Sequence, residues 1–319
     1  MKNTVLIGNV FDKIKEISDC SINTCVTSPP YWGLRDYGHE DQIGHEENPA
    51  LFIEKLVNVF REVKRVLRDD GTLWLNLGDG YCNTNGFARA SSEYQREGRN
   101  GMPANDRKLD KLHDAGFKTK DLLGIPWRVA LALQADGWYL RQDIIWHKPN
   151  PMPESVKDRC TKAHEYIFLL SKSPKYYYDY EAIKEPAQPD NSIRDRDNTK
   201  LNNTPGRTKM QGLKVNTYET RNKRSVWTVT TKPFKGAHFA TFPPELIEPC
   251  IIAGCPKDGI VLDPFFGAGT TGVVSLKNGR NYIGIELNPV YADMSENRIE
   301  YGTVDEEEIE AEKIQGNLF

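Results

Sequence analysis

Apolar positions along this 319-residue chain recur with two alternating periods. "TVLIG" (4–8) is a short β-prone run, and the charged stretch after it, "NVFDKIKEI", reads as a helix. "SINTCV" (21–26) is a second strand. It runs into "TSPPYW" (27–32), where two prolines fix φ and lack N–H donors, so neither a strand nor a helix interior continues. In "PALFIEKLVNVFREVKRVLRDDG" the residues Phe52, Leu56, Val59, Phe60, Val63 and Leu67 form a helical stripe expected to stop at Gly71, ahead of the strand "TLWLNLGD". "DLLGIPWRVALALQADG" (121–137) predicts a helix that accommodates Pro126 in its first turn. "WYLRQDIIWHKPN" and "HEYIFLLSKSPKYYYD" predict strands. From residue 237 the helix–strand rhythm runs through "PPELIEPCIIAGC", "GIVLDPFFGAGTTG", "RNYIGIELN" and "PVYADMSENRIEYG". Such alternation predicts an α/β fold, a doubly wound and mostly parallel sheet with helices on both faces.

Two stretches break the rhythm. Residues 81–120 are polar and Gly-rich, with eight Lys/Arg against five acids, which suits a mobile insertion or a lid. Residues 184–236 lose periodicity altogether, and the window 181–235 carries twelve Lys/Arg against six Asp/Glu, a local charge of +6. A region facing phosphates and a solvated loop both account for that excess. The net charge of −3 hides the segregation, because 302–319 holds six acids and one Lys, −5 in all, and leaves the remainder at +2.

Composition, 38% hydrophobic and 27% charged, is that of a soluble globular protein, and no apolar run approaches the roughly eighteen residues of a membrane span. The N-terminus lacks the apolar core and cleavage site of a signal peptide, so a cytoplasmic protein without a membrane partner is expected. The six cysteines form no CxxC pair and join no histidine cluster. Reduced, mostly buried thiols and no metal site are therefore expected.

"GIVLDPFFGAGTTG" is a strand ending at Asp263, a tight turn with Gly267 and Gly269, and a helix opening at Thr270. Glycines at the carboxyl end of a parallel strand let a ligand approach the backbone, and the helix N-terminus offers free N–H groups. Seventeen residues beyond Gly269 stands Glu286, at the end of "YIGIE", where a carboxylate accepts from both ribose hydroxyls of a nucleoside. The loop is not a triphosphate loop, since no GxxxxGK[ST] run occurs. A nucleoside without phosphates, such as S-adenosyl-L-methionine, fits better.

Together "TSPPYW" near the start and "DPFFGAGTTG" near the end resemble the amino-directed DNA methyltransferases, which modify cytosine N4 or adenine N6. The order, catalytic motif first and cofactor motif last, is similar to their permuted β group. The resemblance implies S-adenosyl-L-methionine as cofactor, with Asp263, Phe265, Gly267 and Gly269 toward its methionine side, Thr270 also in contact with the cofactor, and Glu286 at its ribose. His238, Phe242 and Pro243 match the segment that closes over the methionine. Asn9 stands near the adenine, where the family usually has Asp. It implies that residues 1–80 and 121–183 form the catalytic half, 237–301 the cofactor half, 184–236 the target-recognition region and 302–319 an acidic tail. Arg194, Arg196, Arg207, Lys209, Arg221, Lys223 and Arg224 are its candidates for contact with double-stranded DNA. A homodimer and a companion restriction endonuclease are further partners that the resemblance leaves open.

The chemistry accounts for the proline loop. An exocyclic amino nitrogen is a poor nucleophile, because its lone pair is delocalised into the ring. Ser28 Oγ and the Pro29 carbonyl are candidate acceptors for its two hydrogens, and Pro29 and Pro30 hold them in place. Tyr31 is suited to stack on a base flipped out of the duplex; Trp32 is a second platform or a core residue. In the family Ser at the first position mostly accompanies N4-cytosine, while a hydroxyl and a carbonyl can accept from adenine too. Cytosine N4 is the expected target, with adenine N6 as the alternative; an RNA methyltransferase and a silent DNA-binding protein are more distant readings. Pro249-Cys250, the only Pro-Cys pair, lies inside an apolar helical pattern, which suits a core cysteine rather than a ring-carbon nucleophile.

Overall fold

The computed structural model describes residues 1–33, 41–82, 112–187, 219–231 and 242–301. The chain divides into two compact units, Met1–Asp179 with Ser225–Phe319, and Tyr180–Arg224. The first unit contains strands β1 (Thr4–Ile7), β2 (Ile22–Thr27), β3 (Leu67–Leu77), β4 (Tyr139–His147), β5 (His164–Ser171), β8 (Val226–Thr228), β9 (Ile260–Asp263) and β10 (Asn281–Glu286). Its helices are α1 (Val10–Lys13), α2 (Pro49–Val66), α3 (Ile125–Ala135), α4 (Pro244–Gly254), α5 (Thr270–Lys277) and α6 (Pro289–Glu300).

The eight strands form one sheet in the order β1-β10-β9-β2-β3-β5-β4-β8. Pairing is parallel except where β5 lies antiparallel between β3 and β4. Side chains alternate across it as the pleat requires. Leu73, Leu75 and Leu77 of β3 join the large core with Phe52, Leu56, Phe60 and Val63 of α2 and Val129 and Leu133 of α3. Trp74 points the other way, so close to α4 that a Cβ at Gly254 would stand 2.6 Å from its Nε1. Beyond it Val5, Phe266, Tyr282 and Ala292 form a second cluster on which Ile299 packs. Both faces of the sheet are covered, as a near-continuous apolar strand such as β3 demands.

Three expectations are corrected. The α2 stripe ends at Val66, not at Gly71: Leu67 is already extended (φ −66°, ψ 140°) and pairs with Ile22. Leu67 is buried as part of β3, and the next pairing is Thr24 with Thr72, so residues 68–71 bulge opposite Asn23 alone. A buried leucine at helical spacing serves either element, which is why the stripe ran on. Second, "HEYIFLLSKSPKYYYD" is a strand only to Ser171, where pairing with Thr72 and Tyr139 ends. Third, the aperiodic region conceals a strand, since Val226–Thr228 pairs in parallel with Ile145–His147 and Trp146 Nε1 donates to Val229 O at 2.9 Å. Most of the 81–120 insertion and the whole acidic tail beyond Tyr301 lie outside the described residues. No helix among the described residues is long and apolar enough to cross a membrane.

The second unit carries a two-stranded antiparallel ribbon, β6 (Glu185–Pro186) with β7 (Thr220–Arg221). Glu185 Oε1 there accepts from Arg221 Nε at 2.8 Å and from Arg224 Nε at 2.6 Å.

Candidate active site

The sheet reverses its winding between β9 and β2. From that seam the chain proceeds one way through α5 to β10 and the other way through α2 to β3, which leaves a crevice beyond the strand ends. "TSPPYW" leaves β2 there and "DPFFGAG" leaves β9. The loops, far apart in sequence, are tied by a carboxylate. Asp263 Oδ1 accepts from Thr27 Oγ1 at 2.6 Å and from Phe265 N at 3.1 Å, and Oδ2 accepts from Thr271 Oγ1 at 2.7 Å. Complete burial pushes the Asp263 pKa up to about 6 against the pull of these three bonds, with a smaller rise from the charge of Glu286.

Glu286 ends β10 and steers the glycine turn. Its Oε2 accepts from Gly267 N at 2.7 Å and its Oε1 from Asn288 N at 2.9 Å. Burial raises its pKa, and backbone N–H groups of Asn288, Gly267 and Leu287 oppose that rise. The turn needs its glycines for two reasons. Gly269 (φ +75°) packs against α6 so closely that a Cβ would lie 2.8 Å from that of Ser295, whereas a Cβ on Gly267 (φ +52°) would project into open space.

A cleft of about 1060 Å³, its open mouth included, occupies the crevice. Of the residues singled out in the sequence, Asn9, Ser28, Pro30, Phe242, Asp263, Phe265, Gly267, Thr270 and Glu286 line it together. Asn9 also caps α1, its side chain accepting from Phe11 N at 2.9 Å. Pro29, Tyr31, Pro243 and Gly269 are not among the lining residues. Pro243 caps α4 and Gly269 caps α5. Tyr31 is half-buried, with its hydroxyl 2.7 Å from Glu165 Oε2. Trp32 is a core residue, buried with Nε1 donating to Glu46 O at 3.1 Å. His238, Arg194, Arg196, Arg207 and Lys209 lie outside the described residues, and Arg221, Lys223 and Arg224 belong to the second unit.

The sequence reading missed several wall residues. Asp41, Gln42 and Ile43 line the cleft, as do Asn288 and Tyr291 at the start of α6. "NPV" at 288–290 carried a usable signal, a helix N-cap directly after a strand: Asn288 Oδ1 accepts from Val290 N at 2.9 Å. Nothing in "DQI" marks it as a wall. Among the described residues no group of three or more His, Cys, Asp or Glu is placed to hold a metal ion. Cys250 is buried in α4.

A sequence model described as DNA methylase, of the N6/N4 type, matches residues 22–297. The chain belongs to the DNA methylase family. Its relatives include the type II methyltransferase M.Cfr9I of Citrobacter freundii, 48% identical over 93% of this chain and 87% of that protein. The type II methyltransferase M.XycI of Xanthomonas campestris pv. cyanopsidis is 49% identical over 93% and 88%. Among solved structures the fold matches PvuII DNA methyltransferase (cytosine-N4-specific) with a TM-score of 0.63 at 18% identity, covering 98% of this chain and 91% of that one. It also matches a DNA modification methylase of Thermus thermophilus complexed with S-adenosyl-L-methionine, with a TM-score of 0.58 at 23% identity and 95% of each chain.

As a member of this methylase family the chain is a DNA methyltransferase acting on the exocyclic amino group of cytosine or adenine, with S-adenosyl-L-methionine as donor. The cleft fits that donor on its own chemistry. Glu286 accepts from backbone N–H groups and keeps acceptor capacity for a ribose hydroxyl, and Gly267 leaves space that any side chain would fill. Phe242, Phe265 and Ile43 supply apolar wall.

Proposed function

We propose that this methyltransferase modifies the N4 amino group of cytosine in double-stranded DNA, on a base swung out of the helix, and so marks sites against a companion restriction endonuclease. In this reading Glu286 holds the ribose of S-adenosyl-L-methionine, Asn9 lies toward its adenine, and Asp263, Phe265, Gly267 and Thr270 frame its methionine side, with Phe242 and Pro243 opposite. His238, outside the described residues, is assigned to the same role by the family pattern alone. When bound, S-adenosyl-L-methionine supplies a methyl group already activated by its sulfonium.

What remains for the protein is positioning. Ser28 Oγ and the Pro29 carbonyl accept the two amino hydrogens, which draws the nitrogen toward tetrahedral geometry and frees its lone pair. Pro29 and Pro30 keep those acceptors in place at little entropic cost, and Tyr31 gives the extruded base a ring to stack on. Arg194, Arg196, Arg207, Lys209, Arg221, Lys223 and Arg224 are assigned to the duplex. The single observation that carries the reading is the Thr27–Asp263 bond, which ties the residue preceding Ser28 to the glycine turn. Ser28, one residue on, lines the same cleft as Glu286. Serine at that position is what favours cytosine.

Nucleoside mass spectrometry of DNA treated with the enzyme is expected to yield N4-methylcytosine; N6-methyladenine instead would overturn the choice of base. Ser28→Ala is expected to slow transfer about 100-fold with donor affinity kept, and Glu286→Ala to weaken donor binding at least tenfold. Unchanged affinity in the latter removes Glu286 from the ribose.

A further inference from the structure

Tyr31 is held by residues outside its own loop. Its hydroxyl donates to Glu165 Oε2 at 2.7 Å and lies 3.3 Å from Asn76 Oδ1. Glu165, near the start of β5, is itself anchored: Lys148 Nζ donates to its Oε1 and Asn76 Nδ2 to its Oε2, the latter at 3.3 Å. Asn76 is in turn fixed to Tyr166 O at 3.1 Å, and Lys148 sits over the Trp146 ring, 4.2 Å from its centroid. The ring edge of Tyr31 fits against β3's exit, where a Cβ at Gly78 would stand 2.7 Å from Tyr31 Cε2 and 3.3 Å from Glu165 Cδ. The Glu165 and Lys148 side chains are only 15% and 19% exposed. A half-desolvated ion pair of this kind contributes little net stability against apolar replacements, so its value lies in what it orients.

We propose that Glu165 is a positioning residue for methyl transfer, which, neutralised by Lys148 and beside the gap left by Gly78, fixes the Tyr31 ring as a rigid platform for the target base. The inference rests on the reading of Tyr31 as that platform. A tyrosine on a loop turns about two side-chain torsions, and tethering its hydroxyl to a sheet removes that freedom before the base arrives. A hydrogen bond to an ionised acceptor is the stronger kind, and its loss is felt only where the ring orientation matters. Strands β3 and β5, with Lys148 just past the end of β4, thereby act on a loop that emerges from β2.

The test uses the full-length enzyme, duplex DNA and single-turnover transfer. Tyr31→Phe keeps the stacking ring and removes only the tether, and Glu165→Gln keeps side-chain shape and loses the charge. Each is expected to slow transfer about tenfold while the dissociation constant of S-adenosyl-L-methionine stays near the parental value; the melting temperature is expected to hold in Tyr31→Phe and to fall in Glu165→Gln, where Lys148 loses its counter-charge. The double variant is expected to lose no more than the slower single one, because both changes act through the same bond. Transfer at the parental rate by Tyr31→Phe, or losses that multiply in the double variant, would overturn the tether. Tyr31→Ala separates the layers. If it is severely slowed while Tyr31→Phe is not, the platform stands and the tether fails; if Tyr31→Ala transfers normally, the platform falls and the tether with it.

Discussion

Asp263 shows how one side chain can set the geometry between two loops. A buried carboxylate with three donors is close to saturated, and an amide of the same shape can keep two acceptor bonds at Oδ1 while donating to Thr271 through nitrogen. Asp263→Asn is therefore expected to fold and Asp263→Ala to cost about 2–4 kcal/mol in a denaturant melt, since the latter leaves Thr27, Thr271 and the Phe265 N–H without a partner. The pH dependence has a definite sign. The folded-state pKa, about 6, lies above the roughly 3.9 of an unfolded aspartate, so between those values the native state binds the extra proton. That contribution favours folding as pH falls from about 6 toward about 4, by up to about 3 kcal/mol, and is absent at neutral pH. Wild type is thus expected to gain stability relative to Asp263→Asn over that interval, as parallel melts at pH 7 and pH 4.5 would report; a constant difference would mean that Asp263 titrates normally.

Among the elements, α3 illustrates a start held from a distance. Gly124 at its N-cap has no side chain to offer, and Asp79 from the end of β3 fills the role: Oδ2 accepts from Gly124 N at 3.1 Å and Oδ1 from Ile125 N at 3.1 Å. Asp79→Ala is expected to lower stability by about 1–2 kcal/mol, and Asp79→Asn by less, in urea titration. Such long-range caps also mark the limit of what a sequence exposes. Each element whose local pattern is self-contained was legible: α2 by its stripe, β2 by a β-prone run stopped by prolines, and β9 and β10 by short apolar runs bounded by turn residues. The wall of the cleft formed by the glycine turn and Glu286 was legible too, since both signal through local backbone demands. Elements defined by partners were not. β8 is three residues made regular only by β4, and nothing in residues 68–71 announces a bulge. The wall formed by Asp41, Gln42 and Ile43, and the Glu165–Lys148 support beneath Tyr31, depend on tertiary neighbours that carry no pattern in the chain.

Across the whole molecule, charge is partitioned more sharply than the net −3 suggests. The window 181–235 holds an excess of six cations, of which Arg221 and Arg224 already share the carboxylate of Glu185. If that segment meets the duplex, each neutralised phosphate contributes about 0.9 to the salt slope, so log affinity is expected to fall with log salt at a slope of about −5. A flat dependence in fluorescence anisotropy would place the DNA surface elsewhere. The ends of Tyr180–Arg224 have a further significance. Just before it Asp179 N donates to Ala253 O at 2.9 Å, and just after it Ser225 O accepts from Ile145 N at 2.8 Å. Both ports are stitched to the main body by backbone bonds that any amino acid except proline at 179 can make. If the segment between them reads the target sequence, a graft from a relative that keeps this entry and exit is expected to trade one sequence preference for another, as sequencing of the methylated DNA would report.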